Sequence, residues 1–126
     1  MPSYTVEFYE GPDGAAPVED FLQSLSAERK AKALAVIQEL RGHGPTLPFP
    51  YSSQVDGKLR ELRTQYGKEK IRILYFGDRN RNFILLHGLI KNTDKLEKSD
   101  IAAAVENMND HEAGLARKAN LGRKRR

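Results

Sequence analysis

Cationic side chains on predicted β-strands are the residues of this sequence best suited to chemistry. Seven such residues fall on or just after three strand-like stretches: Lys58, Arg60, Arg63, Arg72, His87, Lys91 and Lys95. Arginine and lysine bind phosphate through their charge and through the geometry of their N–H donors. Because neighbouring strands bring such residues onto one sheet, the pattern predicts an anion site, with phosphate as the favoured ligand.

Arg72 and His87 each interrupt an otherwise apolar strand. A charge in that setting is costly unless it is paired or used. Two alternatives therefore stay open for Arg72: an ion pair with Glu61 within the sheet, or a position facing a site. His87 is either a hydrogen-bonded core residue or a proton-transfer group, because histidine titrates near neutral pH. Gly88 beside it indicates a bulge or the close approach of another backbone segment.

Other common chemistries have no signature in the sequence. The chain has no cysteine, which excludes disulfides, thiolate nucleophiles and cysteine-ligated zinc. Its three histidines are widely scattered, and nucleotide-binding glycine motifs, the HExxH zinc motif and the GxSxG nucleophile motif are all missing. We therefore expect no metal and no cofactor. No stretch approaches the ~18 apolar residues of a membrane span, and the N-terminus lacks a signal-peptide pattern, so we expect a cytoplasmic protein without a membrane part.

The formal net charge of +4 is unevenly distributed along the chain. Residues 58–98 carry eleven basic and five acidic side chains, and residues 113–126 carry six basic side chains and no acidic one. Between these two basic blocks, residues 99–112 hold four acids and no lysine or arginine. Concentrated positive charge of this kind favours a polyanionic partner.

The elements that must position these residues form one domain, because the chain has only 126 residues. Apolar periodicity and turn residues predict a strand at about 4–9, a helix from Pro17, a helix after a Ser26 cap, a loop over 44–57, strands at about 58–66, 69–76 and 82–90, and a last helix around 101–108. The short connections between the last three strands require antiparallel neighbours. The order β-α-α-β-β-β-α thus predicts an α+β fold in which an N-terminal αα-hairpin and a C-terminal helix pack on a single antiparallel sheet.

Three ordered motifs resemble those of a known family: LRELR at 59–63, IRILYF at 71–76 and LLHGLIK at 85–91. They are similar to the HigB-type toxins of the RelE/ParE superfamily, a group that includes phage-derived toxin-like proteins of bacterial type II toxin–antitoxin systems. VEFY at 6–9 and PVEDFL at 17–22 also fit. The resemblance covers roughly residues 4–112 and implies a RelE-like toxin domain over residues 1–112. The basic C-terminal tail that we predict over 113–126 lies outside the resemblance.

The same resemblance implies a toxin that enters the ribosomal A site and cleaves mRNA without a metal. It also implies silencing by a helix-turn-helix antitoxin similar to HigA, in a complex able to bind operator DNA. In this interpretation Arg63 and Arg72 clamp the phosphate, and His87 transfers protons, with Lys91 as its substitute because nearby arginines disfavour the charged lysine. Lys58, Arg60 and Lys95 add RNA-binding charge.

Two alternatives to a nuclease remain at the level of sequence. One is a toxin of the same fold that inhibits DNA gyrase through protein contacts alone, and the other is a non-catalytic nucleic-acid-binding relic. The combination of Arg63, Arg72, His87 and Lys91 favours the nuclease, because a gyrase inhibitor needs no general acid–base pair.

Overall fold

The structure is a computed structural model that describes residues 3–124. Its elements in chain order are β1 (Val6–Phe8), α1 (Pro17–Gln23), α2 (Ala27–His43), a short 3₁₀ turn (Gly44–Thr46), β2 (Ser52–Asp56), β3 (Leu59–Tyr66), β4 (Glu69–Gly77), β5 (Phe83–Lys91) and α3 (Lys98–Lys124). The five strands form one open sheet in the spatial order β1-β5-β4-β3-β2. The predicted α+β class is confirmed, and the architecture is consistent with a RelE-like fold.

The predicted start and stop signals of α2 are present in the structure. The Ser26 hydroxyl accepts a hydrogen bond from the backbone N–H of Arg29 at 3.3 Å and caps the first turn. Gly44 follows the last helical residue with a φ of 58°, a conformation that glycine adopts at little cost. The helix therefore ends at His43, and the chain continues into the loop that leads to the sheet.

Two details of the sheet differ from the sequence-based prediction. Residues 52–56, predicted as part of a loop, form the edge strand β2 and pair antiparallel with β3. β1 pairs with β5 in parallel, so only the ladder from β2 to β5 is antiparallel. β2 was not predicted because an exposed edge strand needs few apolar residues. β1 can pair in parallel with β5 because a long connection, which contains the helices α1 and α2 and the other strands, separates the two in the chain.

Helices cover both faces of the sheet and produce two apolar cores. Strand residues alternate between the faces, so Leu62 and Ile73 pack toward α1 and α2, whereas Leu59 and Leu74 pack toward α3. The buried stripe of α2 consists of Ala33, Val36, Ile37 and Leu40. Ala31 and Leu34 share the helical spacing of Ile37 and Leu40 and on that pattern would belong to the same stripe, but both are exposed.

The C-terminal helix is longer than its apolar pattern indicated. α3 has 27 residues, which corresponds to about 40 Å. Ala104 and Met108 anchor its first half in the core, and all residues from 116 to 122 are exposed. The basic block predicted as a tail is thus helical as far as Lys124, and its residues 125 and 126 lie outside the described part of the chain. No helix within residues 3–124 is both long and apolar enough to cross a membrane.

Candidate phosphate-binding site

Three cationic side chains from β3 and β4 meet at one end of the sheet. Arg63 and Arg72 are directly paired across the two strands, and Lys70 lies two residues before Arg72 and so shares its face. We call Arg63, Lys70 and Arg72 the cation cluster. One carboxylate oxygen of Asp94 lies 3.2 Å from Lys70 Nζ, 3.3 Å from Arg72 Nη2 and 3.9 Å from Arg63 Nη2. Asp94 belongs to the loop after β5, and its side chain is 69% exposed, so the cluster faces solvent through this carboxylate.

Arg72 is the buried member of the cation cluster, with 4% of the residue exposed. Its Nη1 donates to the backbone carbonyls of Thr64 at 3.1 Å and Ile71 at 3.2 Å. Burial lowers the pKa of Arg72, and the neighbouring charge of Arg63 lowers it further, while Glu61 and Asp94 act in the opposite direction. A guanidinium nevertheless stays protonated in proteins, so the site holds a positive charge in an orientation fixed by the backbone.

Glu61 forms ion pairs with both arginines of the cation cluster. Arg63 Nη1 donates to Glu61 Oε1 at 2.7 Å, and Arg72 Nε lies 3.9 Å from Glu61 Oε2 without a hydrogen bond to it. The two interpretations of Arg72 that the sequence left open therefore coexist, because Arg72 has a loose ion pair with Glu61 on one side and faces Asp94 on the other. Three cations against two carboxylates leave the group with a net positive charge.

Lys70 and Asp94 were not among the residues selected from the sequence. Lys70 follows the Gly67 turn in a polar stretch, so nothing local distinguishes it from a solvated turn residue. Its spacing of two from Arg72 within one strand is the signal that could have found it. The pKa of Asp94 is lowered mainly by its hydrogen bond and charge interaction with Lys70, and further by the two arginines. The carboxylate is therefore held in its ionised form against the cluster.

Lys91 lies beside the cation cluster, and Lys95 lies in the loop that follows β5. Lys91 is paired with Lys70 across β4 and β5, and its Nζ donates to Glu97 Oε1 at 2.8 Å, an interaction that lowers the pKa of Glu97. Lys95 is exposed in the same loop as Asp94. Lys91 can thus add positive charge to the border of the site, whereas among the described residues no hydrogen bond or ion pair joins Lys95 to the cluster.

His87 faces the C-terminal helix. Its Nε2 lies 2.9 Å from Asp100 Oδ1 at the start of α3, and it is paired with Leu74 in the sheet. Among the described residues no hydrogen bond or ion pair joins His87 to the cation cluster. The β4–β5 ladder shifts register between Leu74 and Tyr75 and leaves Leu86 without a partner, whereas Gly88 pairs regularly with Ile73, so the bulge lies two residues before Gly88. What approaches Gly88 closely is a side chain, because the ring of Phe21 occupies the space that a side chain at Gly88 would need.

Lys58 and Arg60 do not join the cation cluster. Lys58 donates to Glu112 of α3 and lies over the ring of Phe76, whereas Arg60 Nε donates to the Ser52 hydroxyl at 3.1 Å. The two residues lie on different faces of the sheet although they are two positions apart, because Lys58 belongs to the turn before β3, where strand alternation does not apply. Their positive charges lie at the opposite end of β3 from the site.

A cleft of about 500 Å³ opens beside the cation cluster. It lies between α2, the segment before β2 and the end of β3 that β2 leaves unpaired. All three members of the cation cluster line it, together with Lys32, Ala35, Val36, Glu39, Pro50, Tyr51, Thr64 and Gln65. Within residues 3–124 no group of three histidine, aspartate or glutamate side chains is arranged to hold a metal ion.

The fold and the side-chain geometry define a class: a small α+β domain, consistent with a RelE-like fold, with a cluster of cationic side chains at one end of its sheet. The chain belongs to the phage-derived Gp49-like protein family (DUF891), whose sequence profile matches residues 20–109. This family is part of the RelE/ParE-like toxin group of toxin–antitoxin systems, which implies an antitoxin partner. The matched segment contains the whole cation cluster and Asp94. A search of curated proteins found no match to the chain.

Proposed function

We propose that this protein is a toxin of the HigB kind that cleaves mRNA on the ribosome, with the cation cluster binding the scissile phosphate. The observation that carries the proposal is the convergence of Arg63, Lys70 and Arg72 on a single exposed carboxylate. Asp94 marks the position where an anionic oxygen is stabilised, and a phosphate oxygen has the same charge and accepts the same hydrogen bonds. The exposed side of this position gives an RNA strand access to it.

The chemistry that fits such a site is metal-independent transesterification. The ribose 2′-oxygen attacks the adjacent phosphorus, its proton is removed, the bond from phosphorus to the 5′-oxygen breaks, and that oxygen receives a proton. The products are a 2′,3′-cyclic phosphate and a 5′-hydroxyl. Charge accumulates on the phosphorane oxygens in the transition state, and preorganised arginines stabilise it without needing to reorganise.

Lys91 and His87 are the two candidates for proton transfer. The pairing of Lys91 with Lys70 brings it to the border of the cation cluster, whereas His87 is engaged with Asp100 on α3. This arrangement favours Lys91. The ribosome would supply much of the substrate positioning, because a domain of this size has little surface with which to hold RNA alone.

The partner that silences the toxin would be a helix-turn-helix protein similar to HigA. An acidic or amphipathic helix of this antitoxin would complement the basic surface contributed by residues 58–98. The complex of the two proteins, rather than the toxin alone, would bind operator DNA.

Induced expression followed by mapping of mRNA 5′ ends tests the proposed activity. We expect growth arrest and new 5′ ends inside translated messages, and a loss of both in the Lys70→Ala variant. Lys68→Ala is the matched control, since Lys68 is an exposed lysine in the turn next to the site and its loss removes the same charge. Intact transcripts together with accumulating gyrase–DNA cleavage complexes would overturn the nuclease in favour of a gyrase inhibitor.

A further inference from the structure

Two exposed aromatic residues lie near the cation cluster, and one of them lines the cleft. Phe49 is 69% exposed and Tyr51 is 48% exposed, and both lie in the segment that leads into β2. Tyr51 lines the cleft itself, and the Arg63 guanidinium lies 5.1 Å from the centre of the Phe49 ring. The same arginine therefore contacts both an exposed aromatic face and the anion position.

The backbone that carries Tyr51 is held in place on both sides. The carbonyl of Tyr51 accepts a hydrogen bond from the N–H of Arg63 at 2.8 Å, and its own N–H donates to the carbonyl of Pro48 at 3.0 Å. Leu47 anchors the segment in the core with 3% exposure. A half-exposed ring on a fixed backbone loses little conformational freedom when a ligand stacks on it.

The opposite wall of the cleft adds polar groups and a further cation. Lys32 and Glu39 of α2 line this side, together with Thr64 and Gln65 from the end of β3 that pairs with β4 but not with β2. The cleft volume of about 500 Å³ lies within the range that small-molecule sites occupy. An aromatic wall, hydrogen-bonding groups and adjacent cations together are the features with which proteins bind an unstacked base of single-stranded RNA.

We propose that this cleft is a nucleobase subsite, in which a base next to the scissile phosphate stacks on Tyr51 while its phosphate binds the cation cluster. The inference rests on the proposed function for its substrate class. Phe49 lies outside the cleft lining and provides a second aromatic face at its mouth, beside Arg63. The subsite would give the toxin a preference among bases through stacking and through hydrogen bonds to Gln65, Thr64 and Glu39.

Calorimetric titration of the purified full-length protein with inorganic phosphate and with the four nucleoside 5′-monophosphates tests the subsite. We expect at least one nucleotide to bind about 5-fold to 100-fold more tightly than phosphate, the range that one base–aromatic stack provides. Tyr51→Ala should reduce nucleotide affinity to that of phosphate and leave phosphate affinity unchanged, whereas Tyr51→Phe should retain the discrimination. Phe8→Ala is the matched control, because Phe8 is an exposed aromatic residue on the strand at the opposite edge of the sheet.

Equal affinity for phosphate and for every nucleotide in the wild type would overturn the subsite, as would an unchanged Tyr51→Ala variant. A Tyr51→Ala variant that keeps nucleotide binding but no longer binds its antitoxin would assign the aromatic wall to the protein partner instead. The proposed function fails separately. If the protein discriminates among nucleotides but produces no new mRNA 5′ ends, the nuclease proposal is overturned and the subsite proposal stands. If Tyr51→Ala still produces new 5′ ends with the same base preference, the subsite proposal is overturned and the nuclease proposal stands.

Discussion

Arg72 holds a charge in a position from which water is almost wholly excluded. Such a charge persists because two backbone carbonyls accept from its Nη1 and two carboxylates lie within 4 Å of its guanidinium. The geometry also depends on the planar fork of arginine, since a single ammonium could not reach the carbonyls and Asp94 together. At the scale of single residues, the site is therefore built around one guanidinium whose orientation the sheet fixes.

Replacement of Arg72 by lysine distinguishes the contribution of its positive charge from that of its guanidinium geometry. Arg72→Lys keeps the positive charge near Glu61 but loses the fork, and we expect mRNA cutting to fall by about 10²- to 10³-fold, as for the loss of one transition-state donor. The melting temperature should change by only a few degrees, whereas Arg72→Ala should also lower stability because it leaves Glu61 without one of its two cations. Melting curves and 5′-end counts on both variants check this. A fully active Arg72→Lys protein would contradict the assignment.

Asp94 occupies the position that we assign to a phosphate oxygen. Asp94→Asn removes its charge and leaves the three cations without their exposed counter-charge, so we expect affinity for inorganic phosphate to rise by about tenfold at low salt, with a smaller gain at high salt. Calorimetric titration measures the change. Asp56→Asn is the control, because Asp56 is an exposed acid at the end of β2. A fall in melting temperature with unchanged phosphate affinity would identify Asp94 as a purely structural partner of the cluster.

At the scale of elements, acidic residues of the segment 99–112 help to hold α3 against the sheet. Asp100 is hydrogen-bonded to His87, Asp110 accepts from the Tyr9 hydroxyl at 2.7 Å, and Glu112 accepts from Lys58. His111 adds a contact in which the acid lies on the strand side: its Nε2 lies 2.9 Å from Oδ2 of Asp78, which follows β4. The acids at residues 99–112 therefore dock the helix on basic and hydroxyl groups of the strand side, in addition to the apolar anchors Ala104 and Met108.

The contact between Tyr9 and Asp110 predicts how the docking of α3 depends on pH. Burial, followed by the hydrogen bond to Asp110 and by its charge, raises the pKa of Tyr9 to about 12. The protonated phenol is thus favoured in the folded state. Its stabilisation, on the order of 2 kcal/mol, is fully present below the ordinary tyrosine value of about 10 and is lost as the pH rises from there toward 12.

Tyr9→Phe removes this titration and provides the comparison. Denaturant unfolding of both proteins between pH 8 and pH 11 should show the wild type more stable by a margin that is constant at the lower values and shrinks above about pH 10. Groups elsewhere in the chain titrate equally in both proteins and cancel in the difference. A margin that stays constant to pH 11 would show that Tyr9 is not held in its protonated form by α3.

At the scale of the whole molecule, positive charge is placed at two separate locations. The cation cluster lies at one end of the sheet, and the described part of the second basic block, as far as Lys124, forms the end of α3. The matched family segment ends at residue 109, so the second block lies outside the part of the chain that defines the family. The described residues of the second block do not line the cleft. Under the proposed function we therefore expect the cation cluster to serve the chemistry and the second block to serve general attraction to RNA.

Deletion of residues 117–126 tests that division. The deletion removes all six basic residues of the last block, and it should weaken RNA binding at low salt and make the dependence of log affinity on log salt less steep. The melting temperature and the positions of the cuts should stay unchanged, because residues 116–122 are exposed. Binding measured at several salt concentrations and 5′-end mapping supply the two readouts. A truncated protein that folds but no longer cuts would place the helix end within the site.

Much of the site and fold could be predicted from the sequence where the signal is local. The capped start of α2, the apolar stretches that became β3, β4 and β5, and the apolar anchors of α3 each follow from patterns within a few residues. The unusual position of Arg72 was visible for the same reason. β2 was missed because a polar edge strand has no such pattern, and Lys70 was missed because its importance depends on what lies across the strand.

The sequence by itself determined the α+β class, the order of most elements and the concentration of cationic groups on the last strands, since periodicity and composition are properties of neighbouring residues. Only the tertiary structure decided which of those cations meet. The register of β3 against β4 pairs Arg63 with Arg72, the return of the loop after β5 brings Asp94 to Lys70, and the alternation of faces sends Arg60 to the side opposite the cluster. Each of these outcomes depends on contacts between segments far apart in the chain, where a shift of one residue reverses the face of every side chain.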